Sequence, residues 1–144
     1  MGKKHKFTFK DYQLIKIIFN QNENFSNENL SPEGIEVNPK FEINYEKKEK
    51  RIFVNLNIEF DNADAPFYFD IGIVGSFEFD IDVSEKNMES VVNINCAAIL
   101  FPFLRETIAD ITRRAGFPSL MLPPINFISL YENRTQTENK VITE

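Results

Sequence analysis

The chain has 144 residues, 42% of them apolar and 26% charged, and a net charge of −6. That length supports one domain with a substantial core, and the apolar share excludes wholesale disorder. The negative balance argues against nucleic acid and anionic membrane as main partners, because both are bound by positive patches.

The N-terminal run Met1-Gly2-Lys3-Lys4-His5-Lys6 is basic with no apolar stretch behind it, so it does not read as a signal peptide. Lys6 stands where a myristoylation signal wants Ser or Thr. Residues 6–19 are strand-like with a shifting period. Phe7 and Phe9 share one parity, Tyr12 and Leu14 the other, and Ile15, Ile17 and Phe19 return. A bulge near Asp11, or burial on both faces, accounts for this. Residues 20–33, rich in Asn and Ser, read as loop. Phe41, Ile43 and Tyr45 then alternate with polar neighbours. So do Ile52, Val54, Leu56, Ile58 and Phe60. Phe67, Phe69, Ile71 and Ile73 keep one parity, and Phe77, Phe79, Ile81 and Val83 continue it across Gly75. Such alternation means strands with one buried face. Gly75 marks a bend, a bulge or a close backbone approach. Residues 46–50 and 61–65 read as hairpin turns, and Pro66 opens the next strand.

After Ser84 the period changes. Ser84 can cap a short helix running to Asn95. A stronger helix carries Leu104, Ile108, Ile111 and Ala115 on one face, with Arg113 and Arg114 in its last turn and Gly116 as its stop. Pro102 limits how far that helix extends backward as a straight rod. Residues 117–124 hold three prolines and are too apolar for an ordinary loop. They either pack on the subunit's own sheet or wall an apolar groove. Asn126 caps a last helix with Phe127, Leu130 and Tyr131, and residues 135–144 form a polar tail expected to fray. The expectation is one α+β domain over residues 1–144: a four-stranded antiparallel sheet from 6–83, then two or three helices and a connector from 84–134, packed on one side.

Chemistry-bearing constellations are sparse. His5 is the single histidine, in a basic tail, which removes a His-based triad and a multi-histidine metal site. Cys96 stands alone, so no intrachain disulfide forms, and a buried thiol in a reducing compartment is the favoured reading over a nucleophile. Asp61/Asp64 and Asp80/Asp82 have spacings that suit a cation or a carboxylate pair, but a hairpin turn and an outward strand face explain them as well. No glycine-rich phosphate loop is present. The apolar run 96–104 is too short to cross a bilayer. No enzyme activity, metal or cofactor is expected.

The C-terminal third carries a resemblance. Ile99-Leu100-Phe101-Pro102-Phe103-Leu104-Arg105-Glu106, then Gly116-Phe117-Pro118, then Leu120-Met121-Leu122-Pro123-Pro124-Ile125-Asn126-Phe127, then Leu130-Tyr131, resembles the SecB export chaperones. The resemblance implies an ATP-independent cytoplasmic holdase. It implies a homotetramer built as a dimer of dimers, binding unfolded precursor polypeptides and handing them to SecA. The implied client groove corresponds to Phe41, Ile43 and Tyr45, then Phe117, Leu120 and Leu122, then Phe127, Leu130 and Tyr131. Ordinary core is the competing reading for each. Leu104, Ile108 and Ile111 would serve packing and the oligomer seam. The implied SecA-docking face retains its charge at Asp70. Lys16 and Asn20 stand where that face has two further acids, which replaces attraction for a basic tail with a like charge. A SecB-like module dedicated to one partner, such as an antitoxin, is the alternative.

Overall fold

The computed structural model describes residues 7–26, 38–79 and 84–142; of Glu85 and 135–142 it describes the backbone alone. Four strands, β1 (Phe7–Gln21), β2 (Lys40–Lys48), β3 (Arg51–Phe60) and β4 (Phe67–Phe79), pair antiparallel in the order β1-β4-β3-β2. β1 and β2 are therefore the two edges. The expected strand-then-helix layout is what forms.

Alternation decides the faces. On β3, Ile52, Val54, Leu56, Ile58 and Phe60 are buried, while Phe53, Asn55, Asn57 and Glu59 lie half-exposed on the other side. On β4 the odd residues from Phe67 to Phe79 turn the same way, in register with them. Each such side chain contributes about 1.5–3 kcal/mol by leaving water. Gly75 has the parity of the buried face. A Cβ there would sit 2.4 Å from Leu100 Cδ2, so the glycine serves a close approach of helix to sheet. The β2–β3 turn is tight, with Lys48 opposite Arg51 and Glu49 at φ 57.

β1 resolves its shifting period with two bulges, between Phe9 and Asp11 and between Leu14 and Lys16. Each bulge inserts one residue and flips the parity that follows. Phe7, Phe9, Tyr12, Leu14, Ile17 and Phe19 consequently share the helix-side face, opposite Phe79, Phe77, Gly75, Ile73, Ile71 and Phe69. One of these bulges is the one expected near Asp11. The strand is not buried on both faces: from Asp11 to Ile18 it is exposed.

The helices α1 (Glu85–Ser90) and α2 (Ala97–Arg114) are joined without a break by a π-turn, Val91–Cys96. The Ser84 hydroxyl accepts from the Asn87 N–H at 3.4 Å and begins the rod. Pro102 lies inside α2 and does not end it. Ala98, whose carbonyl loses its usual donor, is exposed to solvent. Residues Lys86–Arg114 make a helix long and apolar enough to cross a membrane by length and composition. Its Leu100, Leu104 and Ile108 are buried against the sheet, as in a core helix. The rod ends as the sequence predicts. Gly116, at φ 96, donates to the Arg113 carbonyl, and Phe117 donates to the Thr112 carbonyl. After a connector, α3 (Phe127–Ile142) starts under an Asn126 cap, with Ser129 N–H donating to Asn126 Oδ1 at 3.1 Å. It continues to Ile142, into the tail expected to fray.

Candidate functional site

The connector and its neighbours form an apolar strip at the subunit surface. Along it, exposed residues separate buried and half-buried ones. Phe117 is half-buried with its ring 5.1 Å from Phe67. Leu120 is half-buried, Met121 is 61% exposed and Leu122 is 3% exposed. At the start of α3, Phe127 is buried, Ile128 is 52% exposed, and Leu130 and Tyr131 are half-buried. Phe41 from β2, Phe101 from α2 and Phe127 from α3 make a three-ring cluster. Centroids lie 5.7 to 6.0 Å apart at steep angles, a favourable edge-to-face arrangement.

The structure thus divides the expected groove residues. Phe41, Tyr45, Phe117, Leu120, Leu130 and Tyr131 line the surface, partly accessible. Ile43, Leu122 and Phe127 belong to the subunit core, so the core reading holds for those three. Sequence reasoning passed over Met121 and Ile128, the most exposed apolar side chains of this stretch. Both sat inside the motif block, but the outward turn of Met121 follows the connector's path and that of Ile128 its place in the first turn of α3.

Of the expected seam residues, Leu104 and Ile108 are sealed beneath α2 in the subunit's own core, at 0% and 1% exposure. Only Ile111 of the three reaches a surface. It lines a groove of about 670 Å³ between α2 and β1, with Tyr12, Leu14, Ile17, Phe103 and Arg114 among its walls. Tyr12 stacks on Phe103 at 4.2 Å. The signal for this groove was β1's shifting period, which concealed a continuous apolar face.

The opposite face of the sheet is polar. Lys16 Nζ lies 2.6 Å from Asp70 Oδ2, and Asn57 Nδ2 donates to Asp70 Oδ1 at 2.8 Å. Burial pushes the Asp70 carboxyl up, but the hydrogen bonds from Lys16 and Asn57 and the Lys16 charge outweigh it and hold the group below the usual carboxylate range. Next to it the Tyr68 hydroxyl donates to Glu59 Oε2 at 3.0 Å. That bond is the main cause pushing the phenol up to about 12. Asn20 lies opposite Tyr68 and lines a cleft with Asn22, Asn24, Asp61 and Phe67.

Among the described residues, the chemical candidates do not gather into one site. Asp61 and Asp64 are exposed on the β3–β4 turn, where the Asp64 N–H donates to Asn62 Oδ1. Cys96 is buried, and loss of solvent pushes its thiol up to about 12. His5, Asp80 and Asp82 lie outside the described residues. Among the described residues, no three of His, Cys, Asp and Glu gather as a metal site would require.

Residues 17–138 match the family model described as preprotein translocase subunit SecB. The chain belongs to the SecB family. The protein-export protein SecB of Xanthobacter autotrophicus is 40% identical over 76 residues, 53% of this chain and 48% of that one. Its counterpart in Methylocella silvestris is 34% identical over 111 residues, 73% of this chain and 68% of that one. The chain spans about half the length of most of these curated SecB relatives. Among solved structures, the fold is similar to a Mycobacterium tuberculosis SecB-like chaperone in complex with a ChAD peptide from the HigA1 antitoxin. The TM-score is 0.72 and the identity 16%, over 83% of this chain and 90% of that one. A Streptococcus agalactiae protein of unknown function shares the SecB-like architecture more loosely, with a TM-score of 0.53 at 15% identity, over 84% of this chain and 99% of that one.

Proposed function

We propose that this SecB-family protein is an ATP-independent holdase, binding unfolded or precursor polypeptides for export along the apolar strip of the connector and α3. The observation that carries the proposal is the run of reachable apolar side chains, Leu120, Met121, Ile128 and Leu130, beside the Phe41–Phe101–Phe127 cluster. Holding an unfolded chain needs apolar surface in water, kept from self-association by like charge, and the chain carries −6. One client Leu or Phe gains about 1.5–3 kcal/mol at most before ordering costs. Useful affinity therefore comes from several sites on one particle. The expected homotetramer supplies them. We place its first seam on the β1 edge and the β1–α2 groove, where Tyr12, Leu14, Ile15, Ile17 and Ile18 are exposed, in place of Leu104 and Ile108. The work is carried out in the cytoplasm, without cofactor, metal or catalysis.

The test is suppression of light scattering from several unrelated refolding proteins at equimolar chain. Suppression across the panel is expected, and none at all refutes the holdase.

A dedicated module serving one partner is the second reading, favoured by the Lys16–Asp70 pair. Asp70 is the acid expected to meet a basic SecA tail, and it is already neutralised within the subunit. Titrating the SecA C-terminal peptide at low salt decides between them. No binding, with protection confined to one client, supports the module; binding that is abolished in Asp70→Asn restores SecA as partner.

A further inference from the structure

We propose that Thr112 is the positioning residue of the connector: it sets the path of the client-contacting strip and thereby the affinity for unfolded polypeptide. The inference rests on the holdase reading. Thr112 lies in the last turn of α2 at 1% exposure, and it grips the connector twice. Its backbone carbonyl accepts from the Phe117 N–H at 3.0 Å, and its Oγ1 accepts from the Leu120 N–H at 2.9 Å. The hydroxyl donates back into the helix, with Oγ1 2.9 Å from the Ile108 carbonyl oxygen and 3.1 Å from that of Ala109. Because the proton is engaged there, a lone pair is left for Leu120. A buried hydroxyl satisfied as both donor and acceptor holds its geometry, since either bond alone would leave an unpaired group in a dry site.

The two grips fall three residues apart, with Pro118, whose φ is fixed, between them. They define the backbone at Leu120, and the alternation downstream follows: Leu120 half-buried, Met121 outward, Leu122 inward. A strip already extended and facing outward spends less of its binding energy on being ordered by a client. Helix packing alone does not ask for a hydroxyl here, because valine fills the same volume. The connector asks for it.

The experiment compares wild type, Thr112→Val and Thr112→Ser in two measurements. One is anisotropy of a permanently unfolded, reduced and carboxymethylated reporter protein. The other is amide hydrogen exchange of the free proteins. Thr112→Val is expected to weaken reporter binding about tenfold while the sheet amides exchange as in wild type. Thr112→Ser, which keeps the acceptor, is expected to stay within about twofold of wild type. The Leu120 amide of the free wild-type protein is expected to exchange far more slowly than those of Ser119 and Met121. Any of three results overturns the assignment: wild-type affinity in Thr112→Val, equal losses in both variants, or a fast Leu120 amide in the free wild-type protein. The last holds even if Thr112→Val fails to fold. A wild-type chain that binds no reporter overturns the holdase reading and this assignment with it; the other results overturn the assignment alone.

Discussion

Gly75 and Leu100 show how closely the helix rod lies on the sheet. A methyl group at Gly75 would intrude to 2.4 Å of Leu100 Cδ2 and 3.0 Å of Cδ1. Gly75→Ala should lower unfolding free energy by about 1–3 kcal/mol, the usual cost of overpacking. Leu100→Ala alone should cost about 2–5 kcal/mol, and the double variant less than the sum, because the new methyl enters the vacated space. Urea denaturation of the three variants checks this; strict additivity would mean that the two residues are not in contact. Asp70 offers a second test. Its depressed carboxyl binds protons less readily folded than unfolded. Its stabilisation is therefore present above the unfolded pKa of about 4 and lost as pH falls through the folded value. Removing the ammonium with Lys16→Met should cost about 0.5–1 kcal/mol at pH 7, because water screens the half-exposed lysine. The gap between variant and wild type should shrink as pH drops below about 4. A gap unchanged from pH 7 to pH 3 would show that the ion pair contributes nothing.

The connector is the element whose character most needed coordinates. Its prolines and apolar residues announce an extended strip, and Gly116 and Asn126 announce the helix ends that frame it. Which side chains it shows to water is not in the string of residues. Met121 and Leu122 are neighbours of similar hydrophobicity, one outward and one sealed. Met121→Asp should therefore leave the unfolding free energy within about 0.5 kcal/mol of wild type while reducing client suppression. Leu122→Asp should unfold or severely destabilise the subunit, because it buries a carboxylate without a partner. Circular dichroism beside the light-scattering assay separates the two. If Met121→Asp protects clients as wild type does, the strip is not where they bind. The π-turn belongs to this scale too. Asn93 within it is buried, donates to the Glu89 carbonyl at 2.8 Å and accepts from Arg134 of α3 at 3.3 Å. The polar side chain thus links the rod to the last helix.

At the scale of the molecule, β1 is the exposed flank. A long edge strand with apolar side chains in water invites pairing unless something covers it. Leu14→Lys with Ile17→Lys should shift the native mass spectrum toward smaller particles, with little loss of secondary structure. An unchanged particle size would refute the seam proposed on β1. The same substitutions should weaken client protection if avidity across subunits carries affinity.

The sequence determined the sheet, because alternation at period two is a property of neighbouring residues and needs no distant partner. It determined the rod's end and the α3 cap for the same local reason, and its motif block pointed to the SecB family that the comparisons then established. Tertiary structure alone decided the rest. Two bulges turned β1's mixed parities into one apolar face. The close approach at Gly75 accompanies a helix that keeps Leu104 and Ile108 inside the subunit. Register between distant strands brought Lys16 onto Asp70. Each of these depends on which surfaces meet, and a list of residues specifies that only after the chain has packed.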